Sequence, residues 1–72
     1  MLGTKAVKEK CLKAPLKVIE GKGYKINIYT IENTSIYFGI QVAETNREHL
    51  YRRQLRSDKY GVYFIYGSKT YI

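Results

Sequence analysis

Basic and aromatic side chains are interleaved in one short stretch of the chain, residues 47–60. Arginine guanidinium groups match phosphate oxygens with paired N–H donors, and the face of a tyrosine ring can stack on an exposed base. Because four arginines fall within ten residues, the stretch carries more charge than a solvated surface usually needs. It predicts a nucleic-acid contact, although an ordinary solvated face uses the same residue types, and it does not distinguish DNA from RNA. The predicted binding residues are Arg47, Tyr51, Arg52, Arg53, Arg56, Lys59 and Tyr60.

Tyrosine and arginine also anchor protein–protein interfaces, so the same stretch supports a second interpretation. In that case the protein is an inhibitor or adaptor that docks on an acidic protein surface. Most of the other tyrosines fall at strand positions, where tyrosine packs against neighbouring strands. Nucleic acid is the leading partner, and an acidic protein surface is the alternative.

The sequence contains no recognisable catalytic or metal-binding pattern. His49, Cys11 and Asp58 are each the only residue of their type, which is too few for a metal site built from histidine and cysteine. Glu48 and His49 are adjacent and do not face each other on a helix, and no nucleophile lies at a motif spacing. Gly21, Lys22 and Gly23 make too short a segment for a phosphate-binding loop. We expect no enzymatic activity, no cofactor and no metal.

Cys11 has two interpretations. It is expected to be a small apolar residue on one face of a helix, because free cysteine is usually buried. If it is exposed, the neighbouring lysines Lys8, Lys10 and Lys13 would lower its pKa and make it reactive. The first interpretation is preferred.

The chain has 72 residues and a net charge of +7, and this charge is unevenly distributed. Residues 1–25 carry a net +5, residues 26–45 a net −2 and residues 46–72 a net +4. A strongly basic domain suggests nucleic acid, anionic lipid or an acidic protein as partner. No apolar run approaches the roughly 18 residues that span a membrane, and the first residues lack the apolar core of a secretory signal. The single cysteine fits a reducing compartment, so a cytoplasmic location without membrane contact is expected.

The central part of the chain, residues 24–43, predicts two antiparallel strands joined by a polar turn at residues 32–35. Tyr24, Ile26, Ile28 and Thr30 alternate onto one face of the first strand, as the period of two in a strand requires. A short strand at residues 16–20 is expected to pair with it. Residues 60–72 predict a second hairpin, in which Gly67 and Ser68 form a tight turn with positive φ at the glycine.

Two segments have helical features. Residues 4–13 are rich in helix formers, with Thr4 as a capping residue, although a flexible basic arm over residues 1–15 is an open alternative. Residues 46–56 are interpreted as a helix that starts with a capping box from Thr45 to Glu48. Such a helix would place Arg52, Arg56 and Lys59 on one side. The competing interpretation is an extended segment, because apolar and basic residues also alternate there.

Together these features predict a single domain over residues 1–72 of the α+β, mainly-β class. The expected architecture is a small antiparallel sheet or a partly open SH3-like or OB-like barrel of four or five strands with one or two short helices. A core made of Ile26, Ile28, Phe38, Ile40, Val62 and Phe64 is expected. A chain of this size has a thin core, so self-association would help to stabilise it. By analogy of size and fold alone, such domains act as accessory or regulatory proteins, including in phages and mobile elements.

Overall fold

The structure of the protein is a computed structural model, which describes residues 5–45 and 47–71. Within these residues the chain forms one short helix, α1 (Lys5–Lys10), and seven strands. The strands are β1 (Lys17–Gly21), β2 (Tyr24–Glu32), β3 (Ser35–Val42), β4 (Glu48–Gln54), β5 (Arg56–Asp58), β6 (Gly61–Tyr66) and β7 (Lys69–Tyr71). The mainly-β class is therefore confirmed, with two antiparallel sheets that do not close into a barrel.

The first sheet is a meander in the order β1-β2-β3-β4, and every neighbouring pair is antiparallel. The turns between β1 and β2 and between β2 and β3 are short, and each contains a residue with a left-handed backbone. Gly23 has a φ of 82° between β1 and β2, and Asn33 has a φ of 56° between β2 and β3. The predicted central hairpin is confirmed, and the strand before it begins and ends one residue later than expected.

A β-bulge at Tyr29 changes which side chains of β2 share a face. Ile28 pairs with Phe38, but the next pair is Thr30 with Tyr37, so Tyr29 is the extra residue. The prediction that Thr30 lies on the same face as Ile28 is wrong for this reason. Ile31 takes that place, opposite Ile36, at the end of the strand.

The second sheet has the order β5-β6-β7. The predicted turn between β6 and β7 is confirmed, because Gly67 has a φ of 64° and Tyr66 pairs with Lys69 across it. The predicted last residue of this hairpin, Ile72, lies outside the described residues.

The predicted helix over residues 46–56 is wrong, and the extended alternative is right. This segment forms β4 and β5, which raises the number of described strands to seven, above the four or five expected. β4 pairs with β3 from Glu48 to Gln54, and these backbone hydrogen bonds outweigh a weak local helical signal. The capping box does not form, since Glu48 begins a strand and Thr45 Oγ1 accepts only a long 3.4 Å hydrogen bond from the Arg47 amide. Asn46 lies outside the described residues.

The core lies between the two sheets and is centred on two phenylalanines. Phe38 of β3 and Phe64 of β6 are fully buried, and their ring centroids are 4.8 Å apart. Ile26, Ile28 and Ile36 complete the buried cluster, and Ile40 is packed against it and only partly buried. The expected core is largely confirmed, but Val62 is exposed because it lies at the open end of the space between the sheets.

The short helix packs on the opposite face of the first sheet. Val7 is buried, and the Lys10 carbonyl accepts a 2.5 Å hydrogen bond from Thr30 Oγ1. The Lys10 ammonium lies 2.5 Å from the Glu32 carboxylate. The predicted N-terminal helix is confirmed over Lys5–Lys10, but residues 11–13, which were expected to continue it, form a turn. Its proposed cap, Thr4, is outside the described residues.

Candidate nucleic-acid interface

The predicted basic residues lie along the outer edge of the molecule. β4 is the last strand of the first sheet and β5 is the first strand of the second, and only Leu55 separates them. The Leu55 amide donates a 2.7 Å hydrogen bond to the Thr34 carbonyl, which holds this junction against the β2–β3 turn. Residues 47–59 therefore follow one edge of both sheets. We call the basic side chains of this segment the basic edge: Arg47, Arg52, Arg53, Arg56 and Lys59.

Strand geometry separates the two central arginines of the basic edge. Arg52 lies on the helix-bearing face opposite Tyr37, and its Nε donates a 3.1 Å hydrogen bond to Ser35 Oγ. Arg53 lies on the core side, and its guanidinium carbon is 5.5 Å and 5.4 Å from the ring centroids of Tyr51 and Tyr66. The basic edge can therefore meet an anion from either side of the strand.

The expectation that Arg52, Arg56 and Lys59 share one side of a helix is wrong, because the segment is extended. Four residues span about 13 Å of strand but only about 6 Å of helix. The positive charges thus form a long row rather than a compact patch. A row of this kind suits a linear partner such as a nucleic-acid backbone better than a single small anion.

The charges of the basic edge are not neutralised within the part of the chain that is described. None of its five cationic groups lies within 4.0 Å of a side-chain carboxylate there, in contrast to the Lys10–Glu32 ion pair. Arg47, Arg52, Arg53, Arg56 and Lys59 are all exposed. These charges are available to an external anionic partner.

The two tyrosines predicted for base stacking have very different surroundings. Tyr60 is 84% exposed in the turn between β5 and β6, where its amide donates a 2.7 Å hydrogen bond to Asp58 Oδ1. The Lys59 ammonium lies 5.2 Å from the centroid of the Tyr60 ring. Tyr51 instead packs in the core, with its ring 5.8 Å from Phe38 and 4.9 Å from Tyr66. Only Tyr60 of this pair presents an open ring beside a cation.

The hydroxyl group of Tyr51 also interacts within the protein. A hydrogen bond with Tyr66, followed by burial, raises the pKa of the Tyr51 hydroxyl above its ordinary value. The Tyr51 hydroxyl is therefore engaged by Tyr66 within the protein. Base stacking by Tyr51 remains a prediction that requires the aromatic cluster to open.

A polar network under the helix was not predicted from the sequence. The Glu48 carboxylate accepts a 2.8 Å hydrogen bond from Asn27 Nδ2 and a short one from the Tyr29 hydroxyl. Gly39 makes room for it, since a Cβ at this position would lie 2.2 Å from Glu48 Oε2. Burial, and then the bond to Glu48, raise the pKa of the Tyr29 hydroxyl above its ordinary value, so Tyr29 acts as a neutral donor in the network.

The structure gives no support for a reactive cysteine. Burial raises the pKa of the Cys11 thiol, and the negative charge of Glu48 raises it further. The neighbouring lysines Lys8, Lys10 and Lys13 do not lower the pKa of this thiol below its ordinary value. Cys11 is partly buried, as the preferred interpretation expects, but it lies in the turn after α1 and not on a face of the helix.

His49 lies on the core side of β4, opposite Ile40, and its Nδ1 atom is buried without a hydrogen-bond partner. Across residues 5–45 and 47–71, no three His, Cys, Asp or Glu side chains come together as metal ligands would.

Replacing Glu48 by alanine is expected to lower the free energy of unfolding by about 1–3 kcal/mol, because the buried Asn27 amide and Tyr29 hydroxyl would lose their acceptor. Urea denaturation at neutral pH measures this change. Glu44→Ala is the matched control, since Glu44 is exposed in the β3–β4 connection and its loss should change the value by less than about 0.5 kcal/mol. Equal effects of the two substitutions would contradict a structural role for the network.

Comparisons of the chain with protein-family models, with curated proteins and with solved structures give no match. The described residues include no helix with the length and apolar character needed to cross a membrane. What the protein binds must be inferred from its own charges and geometry.

Proposed function

We propose that this is a small, basic, non-enzymatic nucleic-acid-binding protein with an accessory or regulatory role. The observation that carries the proposal is the basic edge, five exposed cationic side chains in a row along both sheets with no side-chain carboxylate paired to them in the described structure. Guanidinium groups bind phosphate oxygens in a bidentate manner, and releasing the counterions of the phosphates supplies the affinity.

Tyr60 adds a second element to the proposed contact. The exposed ring at the end of the β5–β6 hairpin can stack on an unpaired base while Lys59 beside it meets a phosphate. A duplex offers base faces only at its ends, so this contact favours a single strand. The basic edge can bind single-stranded and duplex nucleic acid alike, because both carry phosphate groups.

A regulatory or accessory role is inferred from size and from the lack of a catalytic arrangement in the described residues. We propose a cytoplasmic location because the single cysteine fits a reducing compartment. An origin in a phage or mobile element is proposed by analogy of size alone.

Titration of the wild-type protein with labelled single-stranded DNA, duplex DNA and RNA tests the proposal. Contact with about five phosphates should give a slope of log K against log salt of roughly −3.5 to −4.5. Affinity should then fall about a hundred-fold or more between roughly 50 and 200 mM salt. Fluorescence anisotropy measures both quantities. Failure to bind any of the three nucleic acids at low salt, where attraction is strongest, would refute the proposed function.

Tyr60→Ala is expected to weaken binding to a single strand by about 1–3 kcal/mol, the usual value of one base–aromatic stack. Duplex affinity should stay nearly unchanged, which competition assays with both ligands would show. Tyr60→Phe keeps the ring and should bind as the wild type does. If Tyr60→Ala weakened duplex and single strand equally, the ring would not be stacking on a base.

A further inference from the structure

A second surface, distinct in chemistry from the basic edge, lies where the two sheets separate. It is an open apolar groove with a volume of about 230 Å³. Its inner wall is formed by buried core residues, Ile28, Ile36 and Phe64. Its outer walls come from the residue before β1, the end of β2, the β4–β5 junction and the start of β6: Leu16, Ile31, Leu55 and Val62. The groove thus reaches down to core residues that are themselves almost fully buried.

The outer walls are unusually exposed for large apolar side chains. Leu16 is 62% exposed, Ile31 is 54% exposed and Val62 is 53% exposed. The bulge at Tyr29 is what turns Ile31 toward this side of the sheet. Single exposed apolar residues are common on protein surfaces, but several around one concave site are typical of a contact surface.

Cationic residues surround this groove. Lys17 lies in its wall, Arg53 is paired across the strands with the wall residue Ile36, and Arg56 is paired with Tyr63. The acidic residue next to Ile31 in sequence, Glu32, is bound by Lys10. The surroundings of the groove are therefore complementary to negative charge.

We propose that the groove binds an acidic segment of a partner protein, which inserts a large apolar side chain between the sheets. Its carboxylates would then meet Arg56, which is paired with the wall residue Tyr63 beside the apolar centre. A second copy of this chain fits less well, because each copy carries +7 and would bring like charges together. Nucleic acid supplies negative charge but no aliphatic side chain for the pocket. This binding does not require the proposed nucleic-acid contact, but Arg53 and Arg56 belong both to the basic edge and to the surroundings of the groove, so the two partners would compete.

Two labelled acidic peptides of roughly twelve residues test the proposal directly. They share their glutamates and differ only in two central positions, leucine in one and alanine in the other. Fluorescence anisotropy should show the leucine peptide binding at least about ten-fold more tightly, because burying a leucine side chain is worth that much. Amide chemical shifts of the wild-type protein should change at Ile28, Ile36 and Phe64 when the leucine peptide binds.

A matched pair of double variants locates the effect. Ile31→Thr with Val62→Thr removes apolar surface from the groove while keeping β-branched residues in the strands. Val18→Thr with Ile65→Thr makes the same chemical change at two exposed strand residues outside the groove. The first variant should lose the preference for leucine, and the second should keep it. Both should bind nucleic acid as the wild type does, since neither changes a charge.

Three results would overturn the proposal. The first is equal affinity for the leucine and alanine peptides, which would show attraction by charge alone. The second is shift changes in wild-type protein that avoid the groove, a readout that does not depend on the variants folding. The third is a concentration-dependent dimer in sedimentation that the groove variant abolishes and the control variant retains, which would make a second copy the occupant. None of these results depends on whether nucleic acid binds.

Discussion

Phe38→Ala is expected to lower the free energy of unfolding by about 3–5 kcal/mol, the usual cost of removing a buried phenylalanine ring. Phe38 is fully buried at the centre of β3 and contacts both layers of the protein. Its ring centroid lies 4.8 Å from that of Phe64 and 5.8 Å from that of Tyr66 in the second sheet. Loss of the ring removes the main contact that holds the two sheets together.

Urea denaturation followed by far-UV circular dichroism measures this change. A small domain has only about 5–15 kcal/mol of stability, so the variant should unfold at much lower denaturant. Tyr60→Ala is the matched control, because it also removes an aromatic ring but from an exposed turn. Phe38→Leu keeps part of the volume and should fall between the two. An unchanged unfolding midpoint for Phe38→Ala would show that the core is placed wrongly.

The central hairpin could be predicted because its information is local. Alternating apolar residues on both sides of a polar turn define the two strands, and the turn residues Asn33 and Thr34 favour that geometry by themselves. The same holds for the last hairpin, where Gly67 supplies the positive φ. In both cases, strand and turn signals within about fifteen residues agree with each other.

The segment from β4 to β5 could not be assigned from the sequence because its conformation depends on distant partners. Its capping residues and its spacing of leucine and tyrosine suit a helix as well as a strand. Pairing with β3 decides the matter, and this pairing joins residues that are 7 to 19 positions apart. The bulge at Tyr29 could not be predicted either, because no residue type in the β2 sequence indicates where the extra residue lies.

The sequence predicted only part of the geometry of the candidate site. Residue type and clustering identified the basic edge, but the sequence could not show that Tyr60 is exposed while Tyr51 packs against Phe38. The Glu48 network was missed because Asn27 and Tyr29 lie 21 and 19 positions away from it in the chain. The groove was missed because it depends on how the two sheets separate, and its residue Val62 was expected in the core.

Replacing Arg52 and Arg56 together by glutamine is expected to weaken nucleic-acid binding roughly a hundred-fold at about 50 mM salt. Each phosphate contact contributes about 0.7–0.9 to the slope of log K against log salt, so two lost contacts flatten the slope by about one to two units. The loss in affinity follows from this difference in slope. At about 1 M salt the two proteins should bind almost equally, and the difference accumulates as the salt falls to about 50 mM. Anisotropy titrations at four or more salt concentrations measure slope and affinity together.

Two control variants separate a phosphate contact from a general effect of charge. Lys13→Gln with Lys22→Gln removes the same charge from exposed positions away from the basic edge, and should leave most of the slope intact. Arg52→Lys with Arg56→Lys keeps the charge and should keep the slope, while losing the bidentate hydrogen bonds of the guanidinium groups. The fold should persist in all three, since exposed cations contribute little to stability. If the variant without Lys13 and Lys22 flattened the salt slope as much as the variant without Arg52 and Arg56, the protein would attract nucleic acid through its net charge. The basic edge would then not be the binding site.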